Sequence, residues 1–140
     1  MKLLTETNGR LLDLSVLLLR CTIGLILFGA GAGKVFSWFG GFGMKLTLHY
    51  FAEMGIPVPL AYLSIYTEFI GGFLLIIGLL TRPVALAVFI NMVVATIVVL
   101  PKGFIVGMAA YPFTLAMISF VLMLTGPMAY SLDAGLFGKE

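Results

Sequence analysis

The chain has one cysteine and one histidine in 140 residues. With Cys21 alone, no intramolecular disulfide and no CxxC redox pair can form. Cys21 reads as a small apolar residue within a helix. With His49 alone, a bis-His haem and a zinc site built from several His and Cys are both excluded, so neither metal nor haem is expected. Charge is scarce too. Asp, Glu, Lys and Arg make up 10% of the residues, against about 25% in a soluble domain. The net charge is +2, and the cations are scattered, which leaves no basic patch for nucleic acid. What fills the chain is apolar: 61% of it is hydrophobic. That composition places it in the lipid bilayer, with room for about four spans of ~20 residues. No length is left for a separate soluble domain, so residues 1–140 read as one transmembrane unit.

Four apolar stretches supply the spans. They cover about 11–33, 60–80, 83–100 and 108–125. The first carries a GAGAG run near its end, as a signal peptide can. It is too long for that, however, and holds Arg20, while Glu6 and Asp13 acidify its leading part. Gly29 and Gly33 form a GxxxG, a spacing that lets a second backbone approach closely in lipid. Arg20, Gly24, Gly31 and Lys34 fall on one helical face. Pro83 suits the first turn of the third span, and Pro101 ends it. Gly126-Pro127 closes the fourth. In the tail, Ser131 or Asp133 is placed to cap a short helix.

Residues 35–58 are of another kind. Phe36, Trp38, Phe39 and Phe42 cluster beyond the first span, as aromatic rings do at headgroup level. From Met44 to Met54 the pattern is amphipathic, with Met44, Leu48 and Phe51 on one side and Lys45, His49 and Glu53 on the other. That predicts a short interfacial helix between helices 1 and 2, serving either as a lid over a cavity or as a connector. The expected fold is therefore all-α: an integral membrane four-helix bundle with one interfacial helix. Lys2, Arg10, Arg82 and Lys139 share one side; Lys34, Lys45 and Lys102 share the other. The balance favours cytoplasmic termini.

The two charges most deeply enclosed by the apolar runs are Arg20 and Glu68. A cation at the centre of a span costs roughly 2.5–3.5 kcal/mol on insertion scales, so such a group is normally paired or turned inward. Counted from the starts of their spans, Arg20 lies ~14 Å from one face and Glu68 ~12 Å from the other, near the same height in a ~30 Å core. An Arg20–Glu68 pair is expected. It serves either as a structural clamp or as a polar site for a quinone-like head group, with Glu68 the proton carrier and Arg20 a hydrogen-bond donor.

These residues, taken in order, carry a family resemblance. Leu18-Leu19-Arg20 with Gly24, then Phe28, Gly31 and Lys34, are followed by Phe36, Trp38, Phe39, Gly40 and Gly41. Gly55-Ile56-Pro57 precedes the second span, which holds Glu68, Gly71-Gly72 and Gly78-Leu79-Leu80-Thr81-Arg82. Tyr111-Pro112 and Gly126-Pro127 with Ser131-Leu132-Asp133 complete the series. Over nearly its whole length the chain resembles the DoxX/DoxD-like membrane proteins. It departs from their pattern at Ala30, often His in the family, at Ala110, often acidic, and at Met128, often Gly.

The resemblance implies a four-helix bundle in a bacterial or archaeal cell membrane. It also implies a link to respiratory chemistry, because some members are subunits of a thiosulfate:quinone oxidoreductase, others are membrane partners of soluble redox enzymes, and distant relatives are cargo receptors. The leading expectation is a membrane subunit of a quinone-linked oxidoreductase system. Glu68 and Arg20 are its candidate catalytic groups, and Lys34, Tyr66 and Tyr111 its candidate cofactor-binding groups. Electrons would come from the substrate, a bound flavin or a redox partner subunit. The alternative is a non-enzymatic partner, carrier or cargo-type scaffold. Self-association into a homo-oligomer is compatible with either.

Overall fold

In a computed structural model, the described residues are 9–105, 108–126, 131, 133 and 135. They contain five α-helices and no strand. The helices are α1 (Gly9–Phe36), α2 (Gly43–Glu53), α3 (Val58–Ile77), α4 (Thr81–Val99) and α5 (Ala110–Thr125). Short 3₁₀ turns follow α1 (Trp38–Gly40) and α4 (Leu100–Lys102). Three helical stretches, Gly9–Phe36, Val58–Ile77 and Thr81–Lys102, are long and apolar enough to cross a membrane. The fourth expected span is a shorter apolar helix of 16 residues. Most of the tail expected to follow it lies outside the described residues, as do residues 1–8.

α1 packs chiefly on α3, α4 on α5, and α3 joins the two pairs through α4. The shared core is aliphatic: Ile23 and Leu27 of α1, Leu75 of α3, Val88 and Met92 of α4, and Leu115 and Leu122 of α5. Many large apolar side chains face outward, among them Leu18, Leu25, Ile70, Phe73, Ile90 and Leu124. In water that would be an aggregation surface; facing acyl chains it costs nothing.

Glycines set the register of α1 on α3. A Cβ on Gly24 would stand 2.7 Å from the Gly72 carbonyl oxygen, and one on Gly31 would stand 2.5 Å from the Phe69 Cα. The two backbones meet at these points, as small residues permit in lipid. The expected GxxxG works differently. Gly33 lies against Gly41 and the Trp38 carbonyl of its own connection, and Gly29 has no neighbour within 4 Å of where its Cβ would be. The motif does not carry the helix contact because its two glycines meet no other helix.

The α3–α4 turn is stitched from a distance. Gly78 (φ 76°) and Leu80 (φ 54°) both take left-handed backbone, which ends α3 three residues before the expected Leu80. Ser131 or Asp133 is expected to cap a helix in the tail, most of which lies outside the described residues. The Leu80 and Thr81 N–H groups donate at 2.7 and 2.8 Å to Oδ1 and Oδ2 of Asp133. Its own N–H donates to the Gly78 carbonyl at 3.0 Å. The carboxylate thus occupies the start of α4, where free N–H groups and the helix dipole both favour an anion. Asp133→Ala is expected to lower stability by about 1 kcal/mol, with Asn recovering part, as read by thermal unfolding in detergent.

Candidate functional site

The glycine contacts decide which charges meet. Lys34 lies three residues beyond Gly31, and Glu68 one residue before Phe69, so the two reach the same height. The Lys34 ammonium donates to Glu68 Oε2 at 2.5 Å. Side-chain exposure is 29% for Lys34 and 9% for Glu68, so the carboxylate is the enclosed partner. The Lys34 Nζ also lies 5.9 Å from the centre of the Phe51 ring, within cation–π range.

The expected pairing of Glu68 with Arg20 is replaced by this one. Arg20 lies one turn before Gly24 and falls beyond Gly72. Its Nε donates to the Leu75 carbonyl at 2.8 Å, two helical turns, or ~10 Å, along α3 from Glu68. It is 1% exposed. A Cβ on Gly78 would stand 3.0 Å from its Cζ. Arg20 thus sits at the C-terminal end of α3, where backbone carbonyls lack helical partners and a cation complements the dipole. The expectation of equal heights failed because it measured each charge from its own helix end. α1 begins at Gly9 and has 28 residues against 20 for α3, so its first turns extend past the end of α3.

Of the remaining candidates, Tyr111 stands near the start of α5 and is half-exposed. Tyr66 is exposed and stacks on Tyr62, with ring centres 6.4 Å apart. It is two residues from Glu68, about 200° around the helix, and so faces away from the pair.

A cleft of about 780 Å³ opens beside Lys34, between the C-terminal end of α1 and helix α2. Gly29, Ala30 and Gly33 form one wall; Trp38, Thr47, His49, Tyr50 and Phe51 stand among the others. The volume is within the range of small-molecule sites, and the mixture of aromatic walls with few polar groups is typical of them. On α2, His49 Nε2 lies 2.9 Å from Glu53 Oε1, both groups largely exposed. The amphipathic pattern of residues 44–54 located α2, but nothing in it showed that Trp38 and Phe51 share a cleft with Lys34. Nor did it show the Ser64–Asn91 bond, in which Ser64 Oγ donates to Asn91 Oδ1 at 2.7 Å between α3 and α4.

Helices of this length and composition, with a charged pair enclosed among them, define an integral membrane protein. The chain belongs to the DoxX family, whose profile matches residues 15–101. It is 35% identical over 129 residues to the "Putative oxidoreductase CatD" of Bacillus subtilis, covering 91% of this chain and 92% of that one. It is 31% identical over 128 residues to the "Inner membrane protein YqjF" of Escherichia coli, covering 89% and 93%. No solved structure matches.

Proposed function

We propose that the protein is a membrane subunit of a quinone-linked oxidoreductase system, and that the cleft beside Lys34 receives a quinone-like head group. The observation that carries this reading is the Lys34–Glu68 pair itself: an ion pair between α1 and α3 whose cation also lines a cleft. An ammonium has three N–H donors, and one is engaged by Glu68. The others can serve a carbonyl oxygen. Glu68 holds the ammonium in place and is the group able to exchange a proton with a bound head group. Tyr111, at the start of α5, is a further candidate hydroxyl donor. Arg20 supports the end of α3 and takes no part in binding.

In this reading α5 is the fourth span, completing a bundle with α1, α3 and α4, and α2 lies at headgroup level. Both termini face the cytoplasm of a bacterial or archaeal cell. Electrons reach the site from a redox partner, soluble or membrane-bound, whose flavin or other centre this chain does not carry. A relative described as an oxidoreductase supports the reaction class without specifying a substrate.

The test is extraction and mass spectrometry of small molecules from protein purified in lipid nanodiscs, beside Glu68→Gln. Near-stoichiometric quinone in the parent, depleted in the variant, is expected. A folded parent with no enriched quinone would refute the reading. The short Lys34–Glu68 contact between two helices would then favour a non-enzymatic partner or carrier in which the pair is a clamp.

A further inference from the structure

We infer that Gly29 sets which head groups the cleft accepts: it is the gap in the wall against which a planar ring lies. The ligand class rests on the quinone reading above. The role of Gly29 rests on geometry.

The glycines of α1 divide by what surrounds them. At Gly24, Gly31 and Gly33 an added Cβ would come within 3.0 Å of a backbone atom, so packing accounts for all three. At Gly29 an added Cβ would meet nothing within 4 Å among the described residues. Its backbone has no left-handed φ either. In a helix interior glycine costs about 1 kcal/mol relative to alanine, and at Gly29 neither packing nor backbone conformation compensates for that. What the missing side chain leaves is space at the edge of the cleft, which Gly29 lines together with Lys34.

The position along α1 gives the space a shape. Gly29 lies five residues before Lys34, ~7.5 Å along the helix axis and about 140° around it, so the two bound opposite edges of the α1 wall, with Ala30 and Gly33 between them. A flat ring lying along this wall can present one oxygen to the ammonium while its far edge reaches Gly29 and its other face meets aromatic side chains. Trp38 and Phe51 supply these. A side chain at position 29 would project into the room the ring needs. The ligand assigned is a planar, single-ring quinone or a close analogue of it. A bulkier or branched head would meet the same wall.

Trp38 makes the test direct. It is the only tryptophan in the chain and it lines the cleft. Protein in nanodiscs with a tryptophan-free scaffold is titrated with a decyl-benzoquinone, and Trp38 quenching is recorded for the parent, Gly29→Ala, Gly29→Leu and Gly9→Leu. Gly9 begins α1 at its far end, and a Cβ there would also meet nothing within 4 Å, so it controls for the general effect of a better helix former. Saturable quenching is expected in the parent and in Gly9→Leu. In Gly29→Leu it should weaken by more than roughly tenfold, in Gly29→Ala by less, with a melting temperature equal to the parent's or higher.

Equal titrations of the parent and Gly29→Leu would overturn the role of Gly29 and leave the quinone reading standing. A lower melting temperature for Gly29→Leu would show that position 29 packs against the fold, and would overturn it as well. Quenching that rises linearly without saturation in the parent, as simple partitioning into lipid produces, would overturn both.

Discussion

Lys34→Met is expected to lower stability by about 3–5 kcal/mol, because it leaves a carboxylate enclosed without its cation. The two ends of the pair are unequal. Glu68 keeps 9% of its side-chain surface and Lys34 keeps 29%. Without Lys34, the Glu68 carboxylate must either stay charged in an apolar environment or take up a proton, and each costs free energy. Without the Glu68 charge, Lys34 already faces a cleft and an aromatic ring, so its ammonium has somewhere to go. Glu68→Gln should therefore cost clearly less, on the order of 1 kcal/mol. The double variant Lys34→Met/Glu68→Gln should be more stable than Lys34→Met alone, since no charge is left unpaired. Unfolding of the four proteins in one detergent gives the coupling directly. Additive effects would show that the pair contributes no interaction of its own.

Arg20→Met is expected to cost about 1.5–3 kcal/mol, the usual range for a hydrogen bond from a charged group, while leaving the quinone titration of Trp38 unchanged. The reason is separation: Arg20 bonds the Leu75 carbonyl, two turns from Glu68. Arg20→Lys should restore stability only in part. An ammonium lacks the planar set of donors with which a guanidinium can serve several groups at a helix end. If a folded Arg20→Met protein lost saturable quenching, the guanidinium would belong to the binding site after all. The two variants together separate stability from binding, because each removes a cation from the same face of α1.

That face was legible from spacing alone. Arg20, Gly24, Gly31 and Lys34 recur at helical intervals, and in the structure all four meet α3 or the turn that follows it. The choice of partner was not legible. Two antiparallel helices can slide past each other by a turn without changing which face each presents. A height counted from helix ends carries the error of both boundaries and of the unequal helix lengths. Close backbone contact removes the ambiguity, since Gly24 and Gly31 admit α3 only where Gly72 and Phe69 stand. The same limit applied to Asp133. Its type marks it as a capping residue, but the helix it caps is distant in sequence and comes beside it only in the fold.

Composition and hydrophobic periodicity by themselves determined that the chain is helical and membrane-embedded, where its helices run to within a few residues, and that charges lie among them. Those properties follow from local physics: apolar length against bilayer thickness, and the 3.6-residue repeat of the helix. Tertiary structure alone decided that Glu68 answers to Lys34, that Arg20 supports the end of α3, and that Gly29 faces a cleft while its neighbouring glycines face backbone. Each of these depends on the vertical alignment of two helices joined by a connection of about 20 residues, and a handful of backbone contacts far apart in sequence sets that alignment.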